Sequence, residues 1–316
     1  MKSNLKILLI VILLSFPFYL GASYIQRNLD NIIFAREITK NPPLFLLAEI
    51  EKKYSLIPEP ELSAKNALSV EIKEKKERII FQKNHLQPTK IASLTKLLAA
   101  VTAEEFYRLE DKIVISQKAV SQYQDRGNLK AGERIRLEKI LEIMLIESSN
   151  DAAFAIAEII GIHPFTALMN IKAKEIGMKN TFIFEPTGLD PEDREFGENK
   201  ANFSTAYDLY LLSKHILLEN PLFPLVKKTS EEELPFFLEN GNFHHLIKNT
   251  NQLVAEIPKI VLSKTGYTGE AGGCLIMVLE CSKPETYLIN IILNSQNRNE
   301  DMKQLINYAN SKSKCY

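Results

Sequence analysis

The chain has 316 residues, 45% of them apolar, with 39 basic against 39 acidic side chains. That length holds one large domain or two modest ones with a proper core. The even charge balance gives no basis for nucleic acid or another polyanion as partner, and no solenoid-period repeat or low-complexity tract is visible.

Lys2 and Lys6 lead into nineteen uncharged residues, Ile7 to Ile25. As a helix this run would be about 28 Å long, close to the roughly 30 Å hydrocarbon core of a bilayer. The small residues Gly21-Ala22-Ser23 also suit a cleavage site. Residues 1–25 therefore read as a signal peptide or an N-terminal membrane anchor. Either way the basic flank stays in the cytoplasm and the rest is exported, to the outer face of the cell membrane. Residues 26–64 read as a lead-in or stalk, punctuated by Asn41-Pro42-Pro43 and Pro58-Glu59-Pro60, with a short helix over Leu44–Ile50.

The domain proper is expected over 65–316. Ala67 to Ile72 alternates and, after a charged turn, Ile79-Ile80-Phe81 follows, which reads as a β-hairpin. A helix is expected from Ser93 to about Leu109, through Leu97-Leu98-Ala99-Ala100-Val101. Leu137, Ile140, Leu141, Met144 and Leu145 make a helical face that runs into Glu147-Ser148-Ser149-Asn150-Asp151, and a second helix covers Ala152–Ile160. Thr166–Ile176 reads as helix closed by Gly177, and Thr205–Leu218 as helix capped by Ser204. Strands return at Lys259–Ser263, Gly273–Glu280 and Thr286–Leu293, before a closing helix over Asp301–Asn310. Close spacing makes the late strands antiparallel. The pattern implies an α+β fold in which strands from both chain ends build one antiparallel sheet covered by helices.

Cys274 and Cys281 lie seven residues apart in one strand, roughly 23 Å at about 3.3 Å per residue, too far to bridge. They read as free thiols, with a bond to Cys315 left open. His244 and His245 are adjacent in an extended stretch and are expected to point to opposite faces, a poor metal clamp. No metal or cofactor is expected.

Ser93 and Lys96 stand three apart, so on a helix they share a face. A serine hydroxyl is a poor nucleophile until a base takes its proton. A lysine can be that base once burial or a second cation lowers its pKa. Two further polar clusters follow in order: Ser148-Ser149-Asn150, 55 residues after Ser93, and Lys264-Thr265-Gly266, 116 residues after Ser148. This order and spacing resembles the serine acyl-transferase arrangement of penicillin-binding proteins and β-lactamases.

The resemblance is closest to the D-alanyl-D-alanine carboxypeptidases, the low-molecular-mass penicillin-binding proteins, over about residues 66–309. Supporting stretches include Gly132-Glu133-Arg134-Ile135, Ser149-Asn150-Asp151-Ala152-Ala153, Pro186-Thr187-Gly188-Leu189, Asn249-Thr250-Asn251 and Lys264-Thr265-Gly266-Tyr267-Thr268. It implies a β-lactamase/transpeptidase-like fold and a serine-type carboxypeptidase that trims peptidoglycan stem peptides ending in D-Ala-D-Ala, with β-lactams as covalent inhibitors. It further implies that Ser93 is the nucleophile and Lys96 its base, with Ser148 a hydroxyl relay and Asn150 an orienting amide. Lys264 would supply positive charge and Thr265 would bind the substrate carboxylate. Gly266 would admit the substrate backbone, and the amides of Ser93 and Tyr267 would form an oxyanion hole. Glu185, 37 residues after Ser148, stands where a β-lactamase would carry its deacylating base, but Pro186-Thr187-Gly188-Leu189-Asp190 matches the carboxypeptidase stretch instead. The chain ends just after the closing helix, without room for the further β-rich domain and C-terminal amphipathic anchor of many carboxypeptidases. That favours retention of the N-terminal segment as membrane tether, and gives weight to a cross-link-cutting endopeptidase of the same family. A penicillin-binding sensor without turnover is the alternative from another class.

Overall fold

The computed structural model describes residues 58–315 apart from Lys75, Asp125, residues 194–199 and Lys314; the apolar N-terminal run and most of the expected lead-in lie outside the described residues. β1 (Asn66–Lys73) and β2 (Lys76–Lys83) form the first hairpin. β3 (Thr89–Lys90) is followed by a 3₁₀ turn, Ala92–Leu94, and helix α1 (Thr95–Phe106). β4 (Lys112–Val114) and β5 (Arg134–Arg136) make a small ribbon leading into α2 (Leu137–Glu142). A π-helical turn, Ile143–Glu147, joins α2 to α3 (Asn150–Glu158), and α4 (Ile162–Ile176) follows. β6 (Phe203–Ser204) pairs with β3, and α5 (Ala206–Leu218) and α6 (Phe223–Val226) end the helical part. β7 (Glu233–Phe237) and β8 (Phe243–Lys248) form a second hairpin. The chain closes with β9 (Ile260–Thr268), β10 (Gly272–Glu280), β11 (Thr286–Ser295) and α7 (Arg298–Ser313).

The main sheet has the order β2-β1-β11-β10-β9, and every neighbouring pair in it is antiparallel. The first strand of the domain thus lies beside the last, as the sequence pattern implied. Both faces are buried because successive side chains point to opposite sides. Leu68, Val70, Ile276, Val278 and Ile289 join the core shared with the helical part, whereas Leu275, Met277, Leu279, Leu288 and Ile292 pack with Met302, Leu305 and Ile306 of α7. Buried Asp301, in the first turn of α7, ties the two ends together. Its carboxylate accepts from Ser63 N and Oγ, Ala64 N and Ser295 Oγ at 2.5–2.9 Å. Each such bond to a charged group is worth roughly 1.5–3 kcal/mol.

Several expectations change. The helix expected from Ser93 begins at Thr95, so Ser93 sits in the tight turn before it, where Ala92 has φ +47°. The strand expected over Lys259–Ser263 runs on: β9 continues to Thr268, so Lys264-Thr265-Gly266 lies inside it. The cap of α5 is Thr205, whose hydroxyl accepts from Asp208 N at 2.9 Å. Ser204 instead hydrogen-bonds Thr181 Oγ1 at 2.8 Å. Cys281 and Cys315 form a disulfide, with Cα atoms 4.5 Å apart, while Cys274 is buried and free. The pairing depends on α7 returning the chain end to β10, a tertiary fact without a local sequence signal. The β7–β8 ladder shifts register between Phe236 and Phe237, so that His244 is the extra residue of a bulge. The bulge turns the two adjacent histidines to one side, their Nδ1 atoms 2.6 Å apart.

Candidate active site

Three chain segments meet at the β9 edge of the sheet. The Ala92–Leu94 turn presents Ser93, and α1 starts so soon after it that Lys96 falls in the first turn, directly over the serine. Thr95 Oγ1 donates to Ala92 O at 2.8 Å and fixes the turn. Ser148 ends the π-helical turn in the left-handed region, φ 63° and ψ 31°, a conformation that costs a non-glycine residue about 1–2 kcal/mol. Strain of this kind gathers at functional sites. Ser149 caps α3, accepting from Ala152 N at 3.1 Å, so the Ser-Ser-Asn segment is a helix cap and a cluster of candidate functional groups at once. β9 is an edge strand; on its outer side Ser263 N donates to Thr229 Oγ1 at 2.8 Å, and no strand pairs there among the described residues.

Lys96 is fully buried, and its Nζ has three oxygen neighbours: Ser93 Oγ at 2.8 Å, Asn150 Oδ1 at 2.7 Å and Thr187 O at 2.5 Å. Asn150 Oδ1 and Thr187 O can only accept, so they take two amine protons. In the uncharged amine the remaining lone pair then faces the Ser93 hydroxyl, which donates to it. Burial pulls the Lys96 pKa down to about 7, against the upward pull of Glu185 and Asp151 and with a further push down from Arg126. Lys96 is thereby a base near neutral pH.

Lys264 is equally buried; its Nζ donates to Ser148 Oγ at 2.7 Å and Thr265 O at 3.0 Å. Burial, then the charges of Lys96, Arg298 and Arg126, hold it well below the ordinary lysine range. The charge on Lys96 thus disfavours a proton on Lys264. Thr265 Oγ1 lies 2.6 Å from Thr250 Oγ1, and Arg298 donates to Gly266 O at 3.0 Å. Asn150 spends one amide proton on Tyr123 O at 2.7 Å. Gly266 permits a close approach different from the one expected. An added Cβ would meet Ile91 O at 3.0 Å and Ala92 Cβ at 3.2 Å, so the glycine lets β9 pack on the turn that carries Ser93.

The structure brings Ser93, Lys96, Ser148, Asn150, Lys264 and Thr265 into this one hydrogen-bonded region, and Ser93, Ser148, Asn150, Thr265, Gly266 and Tyr267 line a cleft of about 610 Å³. Sequence reasoning missed Arg126, Arg298 and the Thr187 carbonyl, which reach the site through tertiary packing. Glu185, set aside in the sequence as a deacylating base because the stretch after it matches the carboxypeptidases, has a different task. That carboxylate is buried and accepts from Thr187 N at 2.7 Å, Thr187 Oγ1 at 2.5 Å, Gly188 N and Asn202 Nδ2. It holds the turn that aims Thr187 O at Lys96, and is fully engaged there. Gly188, φ +88°, completes that turn against the nucleophile: a Cβ on it would lie 2.1 Å from Ala92 O and 2.8 Å from Ser93 N. Away from the cleft, carboxylate oxygens of Asp190, Glu192 and Glu270 lie within 4.8 Å of one another, but Lys90 already pairs with Glu270 there.

A serine paired with a buried lysine, on a sheet built from both chain ends, defines the class: serine hydrolases whose nucleophile is served by an amine base. The D-alanyl-D-alanine carboxypeptidase family model matches residues 54–297, and the chain belongs to that family. It is 29% identical over 259 residues to the Bacillus subtilis D-alanyl-D-alanine carboxypeptidase DacF, covering 79% of this chain and 63% of that relative's length. It is 31% identical over 252 residues to a D-alanyl-D-alanine endopeptidase of Pseudomonas aeruginosa, covering 74% of this chain and 75% of the relative. Penicillin-binding protein D2 of Listeria monocytogenes, solved with cefotaxime bound, superposes with a TM-score of 0.63 at 26% identity, over 80% of this chain and 99% of that one.

Proposed function

We propose that the protein is a serine-type D-Ala-D-Ala carboxypeptidase that trims peptidoglycan stem peptides through a Ser93 acyl-enzyme. The observation that carries this reading is the fully buried Lys96 Nζ, 2.8 Å from Ser93 Oγ, its pKa pulled down by burial to about 7. Lys96 takes the Ser93 proton as Oγ attacks the carbonyl of the penultimate D-alanine. The amides of Ser93 and Tyr267 take the developing oxyanion, a contribution on the order of 10²–10³ in rate per donor. As the peptide bond breaks, Ser148, held by Lys264 at 2.7 Å, passes its proton to the leaving amine and recovers the one that Lys96 took from Ser93, which leaves Lys96 uncharged again. Thr265 and Arg298 hold the departing D-alanine carboxylate. Water then cleaves the ester, with Lys96 again accepting a proton. The engaged carboxylate of Glu185 argues against a β-lactamase-type deacylation, since it has no free lone pair to offer a water.

An endopeptidase acting on D-alanyl cross-links is the second reading, favoured by the Pseudomonas relative of that name. Action outside the cytoplasm fits the Cys281–Cys315 disulfide, which belongs to an oxidising compartment. Residues 1–25 would serve as signal or tether, ahead of a lead-in and the peptidase domain; among the described residues no single helix is long and apolar enough to cross a membrane. β-Lactams are the expected covalent inhibitors. The test incubates the full chain, wild type and Ser93→Ala, with a pentapeptide ending in D-Ala-D-Ala and with a cross-linked dimer, and follows products by mass. Serine-dependent release of D-alanine supports the carboxypeptidase. Cleavage of the dimer alone moves the assignment to endopeptidase. Penicillin labelling of Ser93 without turnover of either substrate leaves a sensor.

A further inference from the structure

The cleft is lined by Arg126, Lys248 and Arg298 and, among the described residues, by no carboxylate. Two of these cations have evident partners: Arg298 donates to Gly266 O at 3.0 Å, and Lys248 lies 3.6 Å from Glu233. Arg126 forms no ion pair among the described residues, yet its position is built with care. Ser149 Oγ donates to Arg126 O at 2.5 Å, and Asn150 Nδ2 bonds the same loop at Tyr123 O. Gly127, φ +100°, is packed so closely that a Cβ on it would lie 2.6 Å from Ile143 Cγ2. The loop is therefore fastened to the Ser148–Asn150 corner. Arg126 itself lines the cleft, together with Ser93, Ser148 and Asn150.

The terminal carboxylate of a D-Ala-D-Ala peptide brings one negative charge, and Thr265 with Arg298 takes it on the β9 side. Arg126 stands on the other wall, in the loop that Ser149 and Asn150 bond. We propose that Arg126 binds a second substrate carboxylate, on the acyl portion upstream of the terminal D-Ala-D-Ala pair; this rests on the carboxypeptidase reading. A planar guanidinium suits a carboxylate better than a lysine would, because it offers two parallel donors. Two sources share that chemistry: a side-chain carboxylate on the third stem residue, as in a diamino-dicarboxylic acid, or the free α-carboxylate of a γ-linked second-residue glutamate. A third-residue lysine would bring positive charge to a cationic cleft and bind poorly.

The test uses full-chain protein and four pentapeptides ending in D-Ala-D-Ala: both upstream carboxylates free, either one amidated, or both amidated. kcat/KM for D-alanine release is measured for wild type, Arg126→Gln and Arg126→Lys, and Kd for the same peptides is measured on Ser93→Ala with and without Arg126→Gln. Amidating the recognised carboxylate should cost wild type about tenfold, mainly in KM, because the contact is remote from the reacting bond. The single amidation that does so names the source. Arg126→Gln should discriminate by less than about twofold, Arg126→Lys should fall between, and the preference should shrink at high salt. Equal Kd and kcat/KM across the four peptides, or discrimination that survives Arg126→Gln, overturns the proposal. Absence of turnover with a carboxylate-dependent, Arg126-dependent Kd would overturn the carboxypeptidase reading and leave this one standing.

Discussion

Replacing Glu185 by Gln removes one buried charge while keeping size and one acceptor. Lys96 Nζ is 2.5 Å from Thr187 O, and Thr187 N is 2.7 Å from Glu185 Oε2. With the width of one residue between, the two charges stand roughly 8–9 Å apart. At an effective dielectric of about 20, that separation gives about 2 kcal/mol, somewhat more than one pKa unit. Glu185 favours the ammonium form, so its charge raises the Lys96 pKa from where burial alone would set it; its removal lowers that pKa. The acid limb of kcat/KM for D-alanine release reports the base of the free enzyme. In wild type it should lie near pH 7, giving about a tenfold loss at one unit below the pKa. In Glu185→Gln the limb should move down by about one unit, so that the loss over the same interval shrinks to about twofold. Strained hydrogen bonds to Thr187 and Gly188 lower the whole profile but do not shift its limb. An unshifted limb would reduce Glu185 to a buttress, and a wild-type limb far from 7 would refute Lys96 as the base.

Gly188→Ala drives a methyl group into the backbone of Ala92 and Ser93, which cannot retreat without moving the nucleophile; penicillin labelling of Ser93 should fall by about 100-fold or more, and a folded variant labelled at the wild-type rate would contradict the packing. The Cys281–Cys315 bond closes a loop of 34 residues, which the chain-entropy model values at about 3–4 kcal/mol. Cys281→Ser, or reduction, should lower Tm by roughly 10 °C, read by calorimetry under oxidising and reducing conditions. Burial depresses Lys96 and Lys264 in the folded state, so between about pH 7 and the ordinary lysine range near 10.4 the unfolded chain binds more protons. The stability contributed by these groups therefore grows with rising pH and is lost as pH falls towards 7; the wild-type urea midpoint should rise from pH 7 to 9, and less so in Lys96→Met.

The alternating strands and their placement at the two chain ends were legible because a sheet buried on both faces leaves long apolar runs with short turns between. Leu275 to Leu279 is such a run, and the structure shows the two sets of side chains serving different cores. Ser93, Lys96, Ser148, Asn150, Lys264 and Thr265 were legible for another reason: each is a short local word whose residue types are dictated by chemistry. What could not be read is whatever depends on one local word meeting another. Arg298 opens an unremarkable closing helix and reaches the cleft only because α7 starts at the β9 end of the sheet. The sequence set Glu185 aside as a base from the stretch that follows it, but could not say what the carboxylate does; its hydrogen bonds show that the turn uses both its oxygens.

Two lysines buried within one site oppose folding, and a fold selected for stability alone would exchange them for apolar residues of similar volume. Under the proposed function, their burial serves what it does to protons. An exposed lysine beside Ser93 would remain an ammonium at neutral pH and could not take the hydroxyl proton. Here burial, with the charge of Arg126, brings Lys96 to about 7, while Glu185 and Asp151 stop the fall from going further. A base much below that value would be free of protons but too weak to deprotonate serine. Gly188, Glu185 and the Thr187 carbonyl, remote from one another in role, thus converge on one quantity. The turn they build sets both where the amine lies and how tightly it holds a proton.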